Sequence, residues 1–484
     1  MADTHQFEAA LGIMETLRGK GYEAYLAGGC VRDLLLGREP ADYDVATNAT
    51  PDIVLEMFPR TFAVGAHFGV VLVAPATSGG AEGAGAPNTS QEPPAVKSTD
   101  AGFVTEVATF RSDLAYSDGR HPDGVRYTKT AEEDVQRRDF TINGLLLDPF
   151  SVGRLSSDLH DDSIAVREGV IDYVGGLADL DAGVIRAIGR PEERFAEDRL
   201  RMLRAVRFAA RFGFAIEPLT MRAIRGLAAG IDAVSRERVR DELTRMLTEG
   251  RARRAFELLD ETGMLKQVLP EIAAMKGVEQ PPQYHPEGDV WTHTLMLLEQ
   301  LEPDCSMTLA WGALLHDVGK PPTFKRAPER IRFDGHAAMG VAMGAEICRR
   351  FRFSNDETRQ ILALIENHMR FMDAERMKDS TLKRFFRLDR FDEHLALHRM
   401  DCLAGSGFLD HWKYVRERLA AMTEETVRPK PLITGRELIA AGYEPGAGFR
   451  EMLQAAEDAQ LEGTVATPED ALRLVRERFQ RSGE

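Results

Sequence analysis

The sequence predicts an α+β head, a mixed sheet with helices, followed by a mostly α-helical remainder. Three observations predict it. Short β-rich runs at Ala24–Ala27, Tyr43–Ala46, Val70–Ala74, Thr105–Phe110 and Leu145–Asp148 are interleaved with helical patterns. From Pro191 onward the pattern changes to long amphipathic helices. The length, 484 residues, suggests about three domains at roughly 150 residues each.

In chain order, a helix over Phe7–Arg18 precedes the first strand, which runs into Gly28-Gly29 and a helix over Val31–Leu36. Residues 76–102 are Gly, Ala, Ser, Thr and Pro with scattered charges, and read as a disordered insert at a hairpin tip. A similar polar insertion spans about 151–168. Helices are predicted at Pro191–Phe212, Leu219–Ala229, Arg236–Thr248 and Arg251–Thr262, then a linker, Gly277–Gly288, with three prolines. The divisions are a head over 1–150, its end over 151–190, a neck and body over 191–276, a helical block over 285–410 and a helical tail over 411–484.

Composition is that of an ordinary globular chain, 43% apolar and 29% charged, which excludes collagen, coiled coil and disorder for the whole. A formal charge of −16 argues against basic surface all round, leaving room for a local stripe. Cys30, Cys305, Cys348 and Cys402 form no CxxC pair and fit a reducing compartment. No signal peptide or apolar span of ~20 residues is present, so a cytoplasmic location without membrane contact is expected.

Gly28-Gly29-Cys30-Val31-Arg32-Asp33 leads from strand to helix, where a diglycine lets backbone approach a ligand and N–H groups face phosphate. Arg32 adds a fork for phosphate oxygens. Asp42 and Asp44, two apart in extended chain, point to one face and suit a shared Mg²⁺, with Glu106 as a third carboxylate. Arg137 and Arg138 suit triphosphate oxygens, with Asp139 expected to hold one of them. Asp198 and Arg201 stand at i and i+3 of the predicted helix, amid eight arginines from Arg186 to Arg211. Asp only accepts hydrogen bonds and Arg only donates, so the pair complements the Watson–Crick edges of C and A and mismatches G and U.

GGCVRD, DYD, RRDFTIN and EDRLRMLRAVRFAARFGF, in this order, resemble the class II tRNA nucleotidyltransferases and the related bacterial poly(A) polymerases. The resemblance implies a nucleotidyltransferase head with Mg²⁺ at Asp42 and Asp44, and addition of C and A from CTP and ATP to tRNA 3′ ends without a nucleic-acid template. Its nucleotide-binding set is Gly28, Gly29, Arg32, Asp33, Arg137, Arg138, Asp139, Asn143, Asp198, Arg201 and Arg204, with Glu106 beside the catalytic aspartates. Gly144 departs from the alanine usual there. The Gly- and Asp-rich segment Ser112–Thr128 reads as a mobile loop, and in the resembled family a loop in this place is needed for the switch to A.

Further on, His293, His316, Asp317, His336, His368 and Asp401 are spread over five helical segments, with His316 and Asp317 in a His-Asp-Val-Gly-Lys string. Imidazoles and carboxylates in this combination suit a divalent metal that activates water. The string resembles the HD phosphohydrolases, which implies Mn²⁺, Ni²⁺, Fe²⁺ or Mg²⁺, with two ions expected because His336 and His368 are both present. The alternatives are poly(A) polymerase, addition of A alone, and an inactive head that binds RNA for a working hydrolase. The HD segment argues against the first of these, and intact Asp42, Asp44, Arg138, Asp198 and Arg201 against the last. Oligomeric state is left open.

Overall fold

Helix Ala2–Gly19 opens the chain in the computed structural model, which describes residues 2–62, 69–74, 98–99, 102–113, 125–151, 163–328 and 330–479. Most of the insert read at 76–102, residues 152–162 of the polar insertion and 114–124 of the loop therefore lie outside the described residues. Phe7, Ala10, Met14 and Leu17 recur at helical spacing and are all buried.

The head is built on a seven-stranded sheet in the order 170–172, 145–147, 24–27, 45–47, 105–109, 70–73, 61–62. Only Val45–Thr47 and Thr105–Thr109 pair in parallel; every other neighbour is antiparallel. This is the mixed sheet expected, with two strands added that sequence reasoning missed, Thr61–Phe62 and Val170–Asp172. Both are edge strands of two or three residues, too short to show alternation.

The helix predicted over Pro191–Phe212 is two helices, Pro191–Glu197 and Leu200–Phe212. Asp198 between them is extended, φ −141° and ψ 106°, and its carboxylate accepts from the Leu200 N–H at 3.0 Å. An aspartate that can cap a new helix start competes with continuing the old one. Leu200–Phe212 ends at Gly213, φ 72°, and stacks Phe208 and Phe212 at 6.0 Å.

The chain divides into two compact units, Met1–Leu243 with Leu258–Val268, and Thr244–Glu257 with Leu269–Glu484. Among its described residues the second has helices and one hairpin, Lys325–Arg326 with Ile331–Arg332, which the sequence reading lacks. Phe371, Phe385, Phe386 and Phe391 form one of its cores, and Ile433, Leu438, Ala471 and Val475 another. Among the described residues no helix is long and apolar enough to cross a membrane.

Candidate active sites

Strand Ala24–Ala27 delivers the chain to Gly28, whose φ of 76° is left-handed. A Cβ there would stand 2.8 Å from Nη1 of Arg138, so glycine is demanded both by the dihedral and by the arginine crossing the turn. Tyr43 is buried with its ring 5.3 Å from Phe7. Its neighbours Asp42 and Asp44 stay half-buried, just before the strand rather than inside it. Val45 pairs in parallel with Val107, so the chain entering this strand from Asp44 runs next to the strand that carries Glu106. Burial, and then the charges of Asp44 and Asp42, push the Cys30 thiol up to about 12, so their field reaches the first turn of helix Gly29–Leu35.

Arg137 and Arg138 follow helix Ala131–Gln136, and the expectation that Asp139 holds one of them is corrected. Asp134 holds both: its Oδ1 takes Arg137 Nη2 at 2.7 Å and its Oδ2 takes Arg138 Nη2 at 3.1 Å. Residues three and four apart along a helix meet, whereas Asp139 lies beyond its end. Asp139 instead accepts from Asn143 Nδ2 at 3.0 Å and Arg204 Nε at 2.8 Å. Burial opposes its ionisation, but Arg204 and Asn143 prevail and hold its pKa at about 2.

Arg32, expected as an open fork, is buried. Its Nε donates to Asp33 Oδ1 at 2.9 Å and its Nη1 to Asn143 Oδ1 at 2.6 Å, with Phe212 beneath at 4.6 Å. Arg32 therefore braces Asp33 and Asn143 instead of offering free donors. Residues Thr141–Asn143 form a 3₁₀ turn, and a Cβ on Gly144 would stand 2.8 Å from Val174 Cγ2 and 3.1 Å from Val135 Cγ1. Alanine would be crowded there, which accounts for glycine in this chain.

Asp198 and Arg201 do not pair with each other. Arg238 Nη2 donates to Asp198 Oδ2 at 2.7 Å, and Arg201 Nη1 to Glu197 Oε2 at 2.6 Å. The shared helix face that the spacing predicts is replaced by a helix break, although the Arg201 N–H still reaches the Asp198 carbonyl at 3.1 Å.

In the second unit the structure brings all six predicted residues together as two triads, His293–His316–Asp401 and Asp317–His336–His368. Within each, the candidate ligand atoms lie within 4.8 Å of one another. Asp317 joins the two, with Oδ2 3.1 Å from His316 Nε2, and Oδ1 3.7 and 3.8 Å from Nε2 of His336 and His368. Every imidazole is oriented through Nδ1. His316, His336 and His368 face the carbonyls of Ala313, Phe333 and Ile365 at 2.8, 3.0 and 2.7 Å, and His293 faces Glu287 at 2.7 Å. An Nδ1–H donor of this kind leaves Nε2 as a lone pair. The Nε2 atoms of His293 and His316 are buried without a hydrogen bond, though Asp401 Oδ1 lies 3.0 Å from the former. Lone pairs facing carboxylate oxygens in a buried cluster fit divalent cations. Burial lowers the pKa of His368 to about 4, which favours its neutral ring.

Several residues of these sites were missed. Asp134 was legible, since it stands three and four before the arginines. Glu287, His285 and Gln280 were hidden inside a proline-bearing segment that reads as a linker. His285 Nδ1 meets Glu287 Oε1 at 2.8 Å, and Gln280 accepts from Lys320 Nζ at 2.7 Å. That ammonium lies 2.7 Å from Asp317 Oδ2.

Residues 24–82 and 84–186 match the poly A polymerase head domain, 213–276 the probable RNA and SrmB-binding site of polymerase A, and 289–394 the HD domain. An A-adding tRNA nucleotidyltransferase of Deinococcus radiodurans is 33% identical over 93% of this chain and 94% of its own length. A CCA-adding enzyme of Geobacillus stearothermophilus is 38% identical over 55% of each, so the chain spans about half of that relative. The crystal structure of the Bacillus stearothermophilus CCA-adding enzyme in complex with CTP superposes with a TM-score of 0.68 at 26% identity, covering 98% of both chains. The chain belongs to the class II tRNA nucleotidyltransferase family, in its HD-bearing branch. Nucleotidyltransferase and HD domains generally use divalent metals, and the histidine–aspartate cluster of the second unit carries donors for them.

Proposed function

We propose that residues 1–190 transfer C and A from CTP and ATP to tRNA 3′ ends, completing CCA, that 191–276 select the base and bind tRNA, and that 285–410 are a metal-dependent phosphohydrolase, all in the cytoplasm. The observation that supports the first reading is the pairing of Val45 with Val107, next to Asp44 and Glu106, close to a glycine turn crossed by Arg138. Mg²⁺ at Asp42 and Asp44 would stabilise the attacking 3′-hydroxyl and the leaving pyrophosphate. Arg137 and Arg138, steadied by Asp134, present donors to the triphosphate. Asp198 and Arg201 supply the acceptor and donor that suit C and A and mismatch G and U.

In the hydrolase, His293, His316 and Asp401 would hold one metal and Asp317, His336 and His368 a second, Mn²⁺, Ni²⁺, Fe²⁺ or Mg²⁺, and these would supply activated water. The carbonyls of Ala313, Phe333 and Ile365 hold three of the rings in the ligating tautomer. Its substrates are 2′,3′-cyclic phosphates or 3′-phosphates that block a tRNA end.

The test uses tRNA lacking CCA, tRNA ending in CC and an unrelated RNA, each with CTP and ATP separately and together. Addition of C and then A to the first tRNA supports the proposal. A second reading, addition of A alone, is favoured by the nearly full-length alignment with the Deinococcus relative. It wins if only tRNA ending in CC is extended. Removing residues 113–123 should leave CC addition and stop the final A; losing both steps, or neither, would count against the loop.

A further inference from the structure

A cavity of about 510 Å³ has Pro281, Pro282 and Gln283 on one wall and Arg326, Arg330 and Ile331 on the other. Sites for small organic ligands measure roughly 300–1,000 Å³. Both walls are tied to the cluster. Gln280, next to the first, reaches Asp317 through Lys320 in two contacts of 2.7 Å. The second wall is the hairpin of Lys325–Arg326 and Ile331–Arg332. Phe324 and Phe333 close its base at 5.9 Å, and the carbonyl of Phe333 faces Nδ1 of the candidate ligand His336 at 3.0 Å.

The hairpin carries Lys325, Arg326, Arg330 and Arg332, all exposed. Arg326 pairs with Glu279 and Arg332 with Asp334, while Arg330 makes no ion pair among the described residues. Tyr284 follows the first wall with 64% of its surface exposed. A large aromatic left in water one residue after the wall of a proline-lined, arginine-lined cavity suits a flat aromatic ligand attached to an anion. Guanidinium planes and aromatic rings stack on nucleobases whatever their edges, and basic side chains follow the phosphate.

We propose that this cavity is the nucleoside subsite of the hydrolase, receiving the base and ribose whose phosphate lies at the metal cluster. The proposal rests on the hydrolase reading above. In the reaction the oxygen of water bonds to phosphorus, the bond from phosphorus to a ribose oxygen breaks, and that oxygen takes the proton from water. The subsite acts on binding and leaves the bond-breaking groups untouched.

The experiment compares 2′,3′-cyclic AMP with bis(4-nitrophenyl) phosphate as substrates of the full-length protein with Mn²⁺. In the Arg326→Ala, Arg330→Ala double variant, KM for the cyclic nucleotide should rise about tenfold or more, with kcat within about twofold. Cleavage of the nitrophenyl ester should change by less than about twofold. An unchanged KM for the cyclic nucleotide, or equal losses on both esters, overturns the subsite. If the wild type cleaves neither ester, the hydrolase reading falls by itself. Calorimetric titration with 3′-AMP then decides the subsite: binding that is lost in the double variant upholds it, and no binding to the wild type overturns it.

Discussion

In the HD cluster each imidazole has its Nδ1 facing a backbone carbonyl or Glu287, and the atoms proposed to face a metal are oriented by the fold itself. In the head, Asp42 and Asp44 occupy extended chain at a strand's entrance, and the fixed network stands behind the groups proposed to touch substrate. Asp134 grips Arg137 and Arg138, and Asp139 grips Arg204 and Asn143. The difference follows the chemistry proposed for each. A water-activating centre handles one small ester and gains from rigidity. A polymerising site must admit two nucleotides and a lengthening 3′ end, so the support sits one row back.

Removing a group that touches the reaction should break this comparison most sharply. Asp42→Ala is expected to lower nucleotide addition by on the order of 10³-fold or more, because charge on the attacking and leaving oxygens loses its support. Hydrolysis of bis(4-nitrophenyl) phosphate by the same protein should be unchanged. Addition at the wild-type rate would remove the catalytic assignment. In the other unit, Glu287→Ala frees the His293 ring and should cost about 10–100-fold in metal affinity or hydrolysis, as orienting partners of metal ligands do. Metal titration followed by the release of bound ion measures it, and nucleotide addition serves as the control.

The second row of the head is tested by Asp134→Asn. Its carboxylate serves two guanidinium groups, and losing the charge weakens bonds worth roughly 1.5–3 kcal/mol each. The expected outcome is a fall of about tenfold or more in kcat/KM for both CTP and ATP, with the ratio between them kept. A change in that ratio would mean that Asp134 acts on base choice rather than on the triphosphate.

What the sequence made legible divides along the same line. The groups proposed to face a ligand were readable from type and spacing: Gly28, Asp42, Asp44, Glu106 and the six residues of the histidine–aspartate cluster. The groups that hold them were less so. Glu287 stands in a Pro- and Gly-rich stretch, where composition speaks only of a turn. The break at Asp198 was invisible because good helix formers, Glu, Arg, Ala and Leu, run on both sides of it, while a local side-chain-to-backbone bond interrupts the helix. The mixed sheet was legible from its central strands, whereas its edges were too short to carry a pattern.

The smallest effect expected is a stability difference, and its pH dependence can be worked out. Asp139 has a folded pKa of about 2 against an ordinary 3.8, so its ionised form is favoured by folding. A depressed carboxylate contributes stability that is fully present above the ordinary value and is lost as pH falls through the folded one. The difference of nearly two pH units corresponds to on the order of 2 kcal/mol. Asp139→Asn removes that contribution while keeping a similar shape, so its thermal midpoint at pH 7 should lie a few degrees below wild type. As pH falls from 4 to 2 the wild type should lose the advantage and the two midpoints should converge. The Arg204 guanidinium, which remains in the variant without its charged partner, adds a deficit that does not titrate in this range and sets how closely the curves meet. A gap that stays constant from pH 7 to pH 2 would show that the network around Asp139 is held by shape and not by its charge.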